Sequence, residues 1–194
     1  MMSDVLFHRD FPASYECSPL NELPGTPQDI QYFNPSHTPQ SQHDGLLACI
    51  EPENGKTWTG VFEWGDLSSD SGMTGFWSLP REDSVCVVSR GVAYIVPVAN
   101  AEAYEVVKLR PVCHVVPVPS LGMIVFGDFT KVIAFGREGK LWTTHRLSWD
   151  GLELSGVEDE RLIGTGWDAP GQKRVSFSVD LKTGDHEGGS APPV

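Results

Sequence analysis

Arg174-Val175-Ser176-Phe177-Ser178-Val179-Asp180-Leu181 alternates polar and apolar residues without a break. Side chains alternate faces along a strand, so Val175, Phe177, Val179 and Leu181 form a dry face. Arg174, Ser176, Ser178 and Asp180 form a wet one. Upstream, Met123-Ile124-Val125-Phe126 and Val132-Ile133-Ala134-Phe135 are apolar throughout and read as interior strands. From Ser84 onward, strand-length runs begin near Ser84, Val92, Tyr104, Val112, Met123, Lys131, Lys140, Leu152, Arg161 and Arg174. A spacing of roughly ten residues is that of meandering antiparallel strands. Turn residues fall between them: Arg137-Glu138-Gly139, Ser148-Trp149-Asp150-Gly151 and Asp168-Ala169-Pro170-Gly171. The pattern predicts an all-β fold, an antiparallel meander that is propeller-like or a partial propeller. A twisted β-sandwich satisfies the same pattern.

One segment competes as a helix. Asn100 to Leu109 holds Ala101, Glu102 and Ala103 behind a residue able to cap. Val106, Val107 and Pro111 favour a short turn followed by a strand. Residues 1–45 read differently. Pro12, Pro19, Pro24, Pro27, Pro35 and Pro39 interrupt any period, and proline removes a ladder donor. This segment is expected to pack as an ordered coil arm, anchored by Phe7, Phe11, Tyr15, Ile30, Tyr32 and Phe33. A single all-β domain over 46–189 and a frayed tail over 190–194 complete the expected organisation.

A weak repeat of about 40 residues runs through the second half, the length of a four-stranded propeller blade. Gly55-Lys56-Thr57-Trp58 echoes Gly139-Lys140-Leu141-Trp142. Asp180-x-x-Thr183-Gly184 resembles the hairpin turn of pyrroloquinoline-quinone-type β-propeller repeats. The resemblance implies an Asp carboxylate that accepts backbone donors and a left-handed Gly. The Trp that usually follows in those repeats is replaced here by Gly188 and Gly189. The quinone does not carry over, because nothing here resembles its site. Phe126-Gly127-Asp128-Phe129-Thr130 through Gly151, with Phe177 through Gly189, resembles a widespread bacterial family of uncharacterised proteins. That resemblance implies no activity.

Lys plus Arg number 14 and Asp plus Glu 26, a net charge of -12. Such a chain repels phosphate backbones, so nucleic acid is not an expected partner, and a basic protein is. No apolar run approaches the roughly 20 residues that cross a bilayer as a helix. The first residues, Met1-Met2-Ser3-Asp4, lack the basic and apolar regions of a signal peptide. Cys17, Cys49, Cys86 and Cys113 are widely spaced, with no CxxC. Free thiols, no disulfide and a cytoplasmic location are the consistent expectation.

Signatures of chemistry are sparse. No nucleophile elbow, phosphate loop, dinucleotide fingerprint or zincin motif occurs. His8, His37, His43, His114, His145 and His186 are scattered, and Cys113 and His114 would face opposite ways on a strand. Neither a metal nor a cofactor is expected. Glu158-Asp159-Glu160, with Asp150 and Glu153 nearby, cluster as a solvated hairpin does, whereas glycosidases set two carboxylates across a cleft.

Six tryptophans (Trp58, Trp64, Trp77, Trp142, Trp149 and Trp167) are many for this length. Most are expected to fill the core; Trp149, in a turn, is the candidate for exposure. The resulting interaction surface comprises Trp149, Asp150, Glu153, Glu158, Asp159 and Glu160. The function expected is a non-catalytic binding module for a protein partner, such as a basic toxin to be neutralised. The alternative is an enzyme or carbohydrate-binding protein that uses tryptophans with Asp66, Asp70 or Asp150 in a cleft.

Overall fold

The computed structural model describes residues 5, 7–25, 29–38, 43–66 and 71–192. Among these residues regular structure is strand throughout, apart from two short 3₁₀ turns at Ala101–Ala103 and Pro119–Leu121. The chain divides into two compact units, Met1–Val112 and Cys113–Val194.

The second unit holds two meanders. Its first sheet runs β10 (His114–Val118), β11 (Met123–Gly127), β12 (Val132–Gly136) and β13 (Gly139–Thr143). Its second runs β14 (Glu153–Glu158), β15 (Arg161–Asp168), β16 (Lys173–Asp180) and β17 (His186–Gly188). In both, strand order follows sequence order and every pairing is antiparallel, as in a propeller blade. The fold is thus all-β and propeller-like. Central strands β11 and β12 are buried on both faces, which is why their sequences carry no alternation. β16 buries Phe177 and Val179 and exposes Arg174 and Ser176, as its alternation predicts. Val125, Val132, Trp142, Leu162, Phe177 and Val179 meet in one core. Burial of such side chains contributes about 1.5–3 kcal/mol each.

The first unit also has two sheets. One has the order β2 (Tyr15–Leu20), β4 (Gly45–Pro52), β5 (Trp58–Glu63) and β3 (Asp29–Phe33). The other has β1 (Phe7–His8), β6 (Gly75–Ser78), β7 (Ser84–Ser89), β8 (Val92–Pro97) and β9 (Glu105–Val106). Phe33, Leu46, Ile50 and Phe62 share a core with Phe76, Val87, Tyr94 and Val96. Phe33 and Phe62 stack at 4.4 Å. Buried hydroxyls are satisfied across it: Tyr15 donates to the Ser84 carbonyl at 2.9 Å and Ser89 to that of Phe62 at 3.1 Å.

The N-terminal arm departs from the expected coil. It supplies β1, β2 and β3, each at a sheet edge. β1 and β3 pair in parallel with β6 and β5, and β2 pairs antiparallel with β4. Pro19 is tolerated in β2 because an edge strand needs donors on one side only. Pro27 and Pro39 lie outside the described residues. Asn100 heads its 3₁₀ turn without a side-chain cap; its carbonyl accepts the Ala103 N–H at 3.1 Å. The tail expected to fray is pinned at Ser190, whose N–H donates to the Leu147 carbonyl at 2.9 Å. Pro193 and Val194 lie outside the described residues.

Candidate interaction surface

The β14–β15 hairpin carries the acidic cluster at its tip. Glu158 pairs with Arg161, leaving Asp159 and Glu160 as a two-residue loop. Both lie in the left-handed region, at φ 46° and 61°. Hairpin twist demands positive φ at both loop positions, which Asn-Gly ordinarily supplies. Here two acidic side chains take it, and all three carboxylates are exposed. The Lys182 ammonium donates to Glu160 at 2.6 Å, and the Leu181 N–H donates to the Glu160 carbonyl. Within the described residues, Glu158 and Asp159 enter none of the side-chain ion pairs.

The neighbouring turn braces this tip. The Asp180 carboxylate accepts the N–H groups of Lys182 at 2.8 Å and Thr183 at 3.1 Å, and Gly184 sits at φ 80°. Those two backbone donors hold the Asp180 carboxyl below the usual carboxylate range. Asp128 repeats the device, accepting the N–H groups of Thr130 and Lys131 at 2.7 and 2.9 Å.

Trp149 stands elsewhere. Its N–H donates to the Trp167 carbonyl at 3.0 Å, at the far end of β15 from the tip. Trp167 lies six residue steps along the strand from Arg161, about 20 Å. The expected juxtaposition of Trp149 with Glu158, Asp159 and Glu160 is therefore absent: a hairpin puts its tip and its base one strand length apart. Trp149 is half-buried, and its indole donates to Ser190 Oγ at 3.2 Å. Ser190 in turn donates to Asp168 at 2.7 Å. The exposed indole is that of Trp167. A strand's wet face, not a turn, exposes it; its partner across the ladder, Arg174, is the sequence signal that could have found it.

Asp150 is exposed beside Trp149. Glu153, at the base of the hairpin, accepts from Arg174 at 2.6 Å. Surface pairs of this kind contribute about 0–1 kcal/mol. The candidate surface thus separates into a basal group of Trp149, Asp150 and Glu153 and a tip of Glu158, Asp159 and Glu160. Asp66 belongs to the first unit, and Asp70 lies outside the described residues. Trp58, Trp77 and Trp142 are core residues, whereas Trp64 and Trp149 are half-buried, so half of the six rather than most fill the core.

Several histidines serve local packing. His8 stacks on Trp77 and His37 on Tyr104, while the His114 ring bonds the Leu152 carbonyl at 2.9 Å. Among the described residues no group of three or more His, Cys, Asp or Glu side chains is arranged to hold a metal. No helix among them is long and apolar enough to cross a membrane.

No protein-family model matches the chain, and no curated protein matches it. Among solved structures it is similar to the crystal structure of the N-terminal domain of Nup159, with a TM-score of 0.41 and 13% identity. That similarity covers 95% of this chain and 53% of the other, so the chain spans about half the length of that neighbour.

Proposed function

We propose that this chain is a non-catalytic interaction module that docks a basic protein partner, with Glu158, Asp159 and Glu160 as its electrostatic contact. The observation that carries the reading is the left-handed backbone at Asp159 and Glu160. Left-handed geometry costs an ordinary L-residue roughly 1–2 kcal/mol, and neutral Asn-Gly would do the turn's structural job with less strain. Strain held in place where charge is displayed is a mark of function. Net charge adds long-range attraction, which speeds encounter with a cation more than it deepens affinity. A cytoplasmic setting belongs to the same reading, supported by four free thiols.

The test is capture from native lysate with the parent chain and with a variant carrying Glu158→Ser, Asp159→Ser and Glu160→Ser. A partner retained by the parent should associate more slowly with the variant, with a shallower dependence on salt. Equal association rates at low salt would remove the tip from the interface.

A further inference from the structure

The first unit contains a cleft of about 370 Å³ whose walls include Trp64, Asp66, Arg90, Arg110, Pro35 and Pro111. We infer that this cleft binds a small ligand in which a phosphate or carboxylate is attached to a flat ring. The site is independent of the acidic tip.

Two guanidinium groups in one cleft are notable on a chain with only 14 basic residues against 26 acidic ones. Among the described residues, each is held by a contact that itself uses at most one of the five N–H donors. Arg90 lies over the Trp64 indole at 5.8 Å, a cation–π contact that spends none of its N–H donors. Arg110 donates one N–H to the Pro35 carbonyl at 3.3 Å. A guanidinium has five N–H donors in a rigid fork that matches an oxyanion with two parallel bonds.

The backbone points the same way. Arg90 and Gly91 form the two-residue loop between β7 and β8, at φ 43° and 81°. Arginine at a left-handed position is strained, and the Thr74 hydroxyl holds it by accepting the Arg90 N–H at 3.2 Å. Gly91 is required: a Cβ there would meet the Pro111 Cβ at 2.6 Å. The hairpin therefore delivers a long cationic side chain where a turn needs none. Around the two cations the lining is largely apolar, from Trp64, Pro35, Pro111 and Val92. Apolar walls with a few convergent polar groups are the composition of small-ligand sites, and the volume lies in their usual range. Asp66, which has an interaction of its own, also lines the cleft, and its carboxylate opposes an anion there.

The test titrates ¹⁵N-labelled full chain with phenyl phosphate, phenylacetate, inorganic phosphate and benzyl alcohol, following amide, indole and guanidinium resonances. Phenyl phosphate or phenylacetate should shift Trp64, Arg90 and Arg110 saturably; the stronger of the two identifies the anion. Inorganic phosphate and benzyl alcohol, each lacking half the ligand, should bind about tenfold more weakly or worse. Arg90→Gln with Arg110→Gln should weaken the best probe at least about tenfold, and Asp66→Asn should tighten it. Arg110→Gln alone, at an exposed residue, gives the same direction if the double variant melts early. Absence of saturable shifts at these residues overturns the assignment, as does unchanged affinity in a folded Arg110→Gln variant.

Discussion

Trp142 donates its indole N–H to the carbonyl of Leu181 at 2.9 Å. Trp142 is on β13, and Leu181 is the residue immediately after β16 in the neighbouring sheet of the same unit. Trp58 on β5 bonds the carbonyl of Val98, immediately after β8, at 3.0 Å. The Gly-Lys-x-Trp echo thus marks one device used once in each unit. Trp142→Phe keeps most of the apolar contact and leaves a buried carbonyl without its donor. Urea unfolding should show a loss of about 1–3 kcal/mol.

Gly184 and Gly122 separate backbone strain from crowding. Both are left-handed, at φ 80° and 59°. A Cβ on Gly184 would meet the Trp142 ring at 2.8 Å, whereas one on Gly122 meets nothing within 4 Å. Gly122→Ala should cost about 1 kcal/mol, and Gly184→Ala roughly 2–4 kcal/mol. Equal losses in denaturant midpoints would show that the indole yields without cost.

The acidic hairpin should be improvable as a hairpin. Asp159→Asn with Glu160→Gly restores the loop preferred at two positive φ angles and gives up the Lys182 pair. The strain relieved exceeds the entropy glycine adds and the surface pair lost, so stability should rise by about 0.5–1 kcal/mol. Thermal melting reads the gain. Under the proposed function the same variant associates more slowly with its partner.

Asp180 predicts a pH response. Its carboxyl is lowered by two backbone N–H donors. A group whose folded pKa is depressed contributes stability that is complete above its unfolded value, near 3.9, and is lost as pH falls through the folded value. Asp180→Asn keeps an acceptor oxygen without a titrating charge. The variant should be less stable than the parent near neutral pH and should lose less stability than the parent as pH falls below about 4; identical pH profiles would take this turn out of the acid response.

Thiol labelling should sort the four cysteines. Cys17 and Cys86 are buried, and burial pushes both thiols far up. Burial, helped by Asp128 and Asp150, pushes Cys113 up to about 11, and Cys49 is raised as well. The thiolate is the nucleophile, so native protein at pH 8 should label slowly at Cys49 and Cys113 alone. All four should react after unfolding. Rapid native labelling of Cys86 would contradict its burial.

The meander was legible because its signals are local. Every strand expected from Ser84 onward begins within two residues of its predicted start, from Ser84 and Val92 to Arg161 and Lys173. The turn reading at Asp180 was also local, set by a carboxylate and a glycine four residues apart. What escaped was long-range. β1 and β3 are short, interrupted by proline nearby, and pair in parallel with strands far along the chain, so no hairpin signal announces them. The Arg90 and Arg110 cleft escaped for the same reason: its residues are drawn from four separate segments. Trp149 is close to Glu158 in sequence but not in space, because the strand Glu153–Glu158 between them holds its two ends a strand length apart.

The edge strands contributed by the arm set an order of events during synthesis. Phe11 bonds Ser78, made 67 residues later, and Tyr15 bonds Ser84, made 69 residues later. At ribosomal speed that is a wait of roughly 3–14 s, during which β1 and Phe11 lack their partners, although β2 can already pair with β4. The prolines that break this segment's periodicity also make it a poor template for pairing with other nascent chains. The same residues that concealed its strands in the sequence protect it until β6 and β7 arrive.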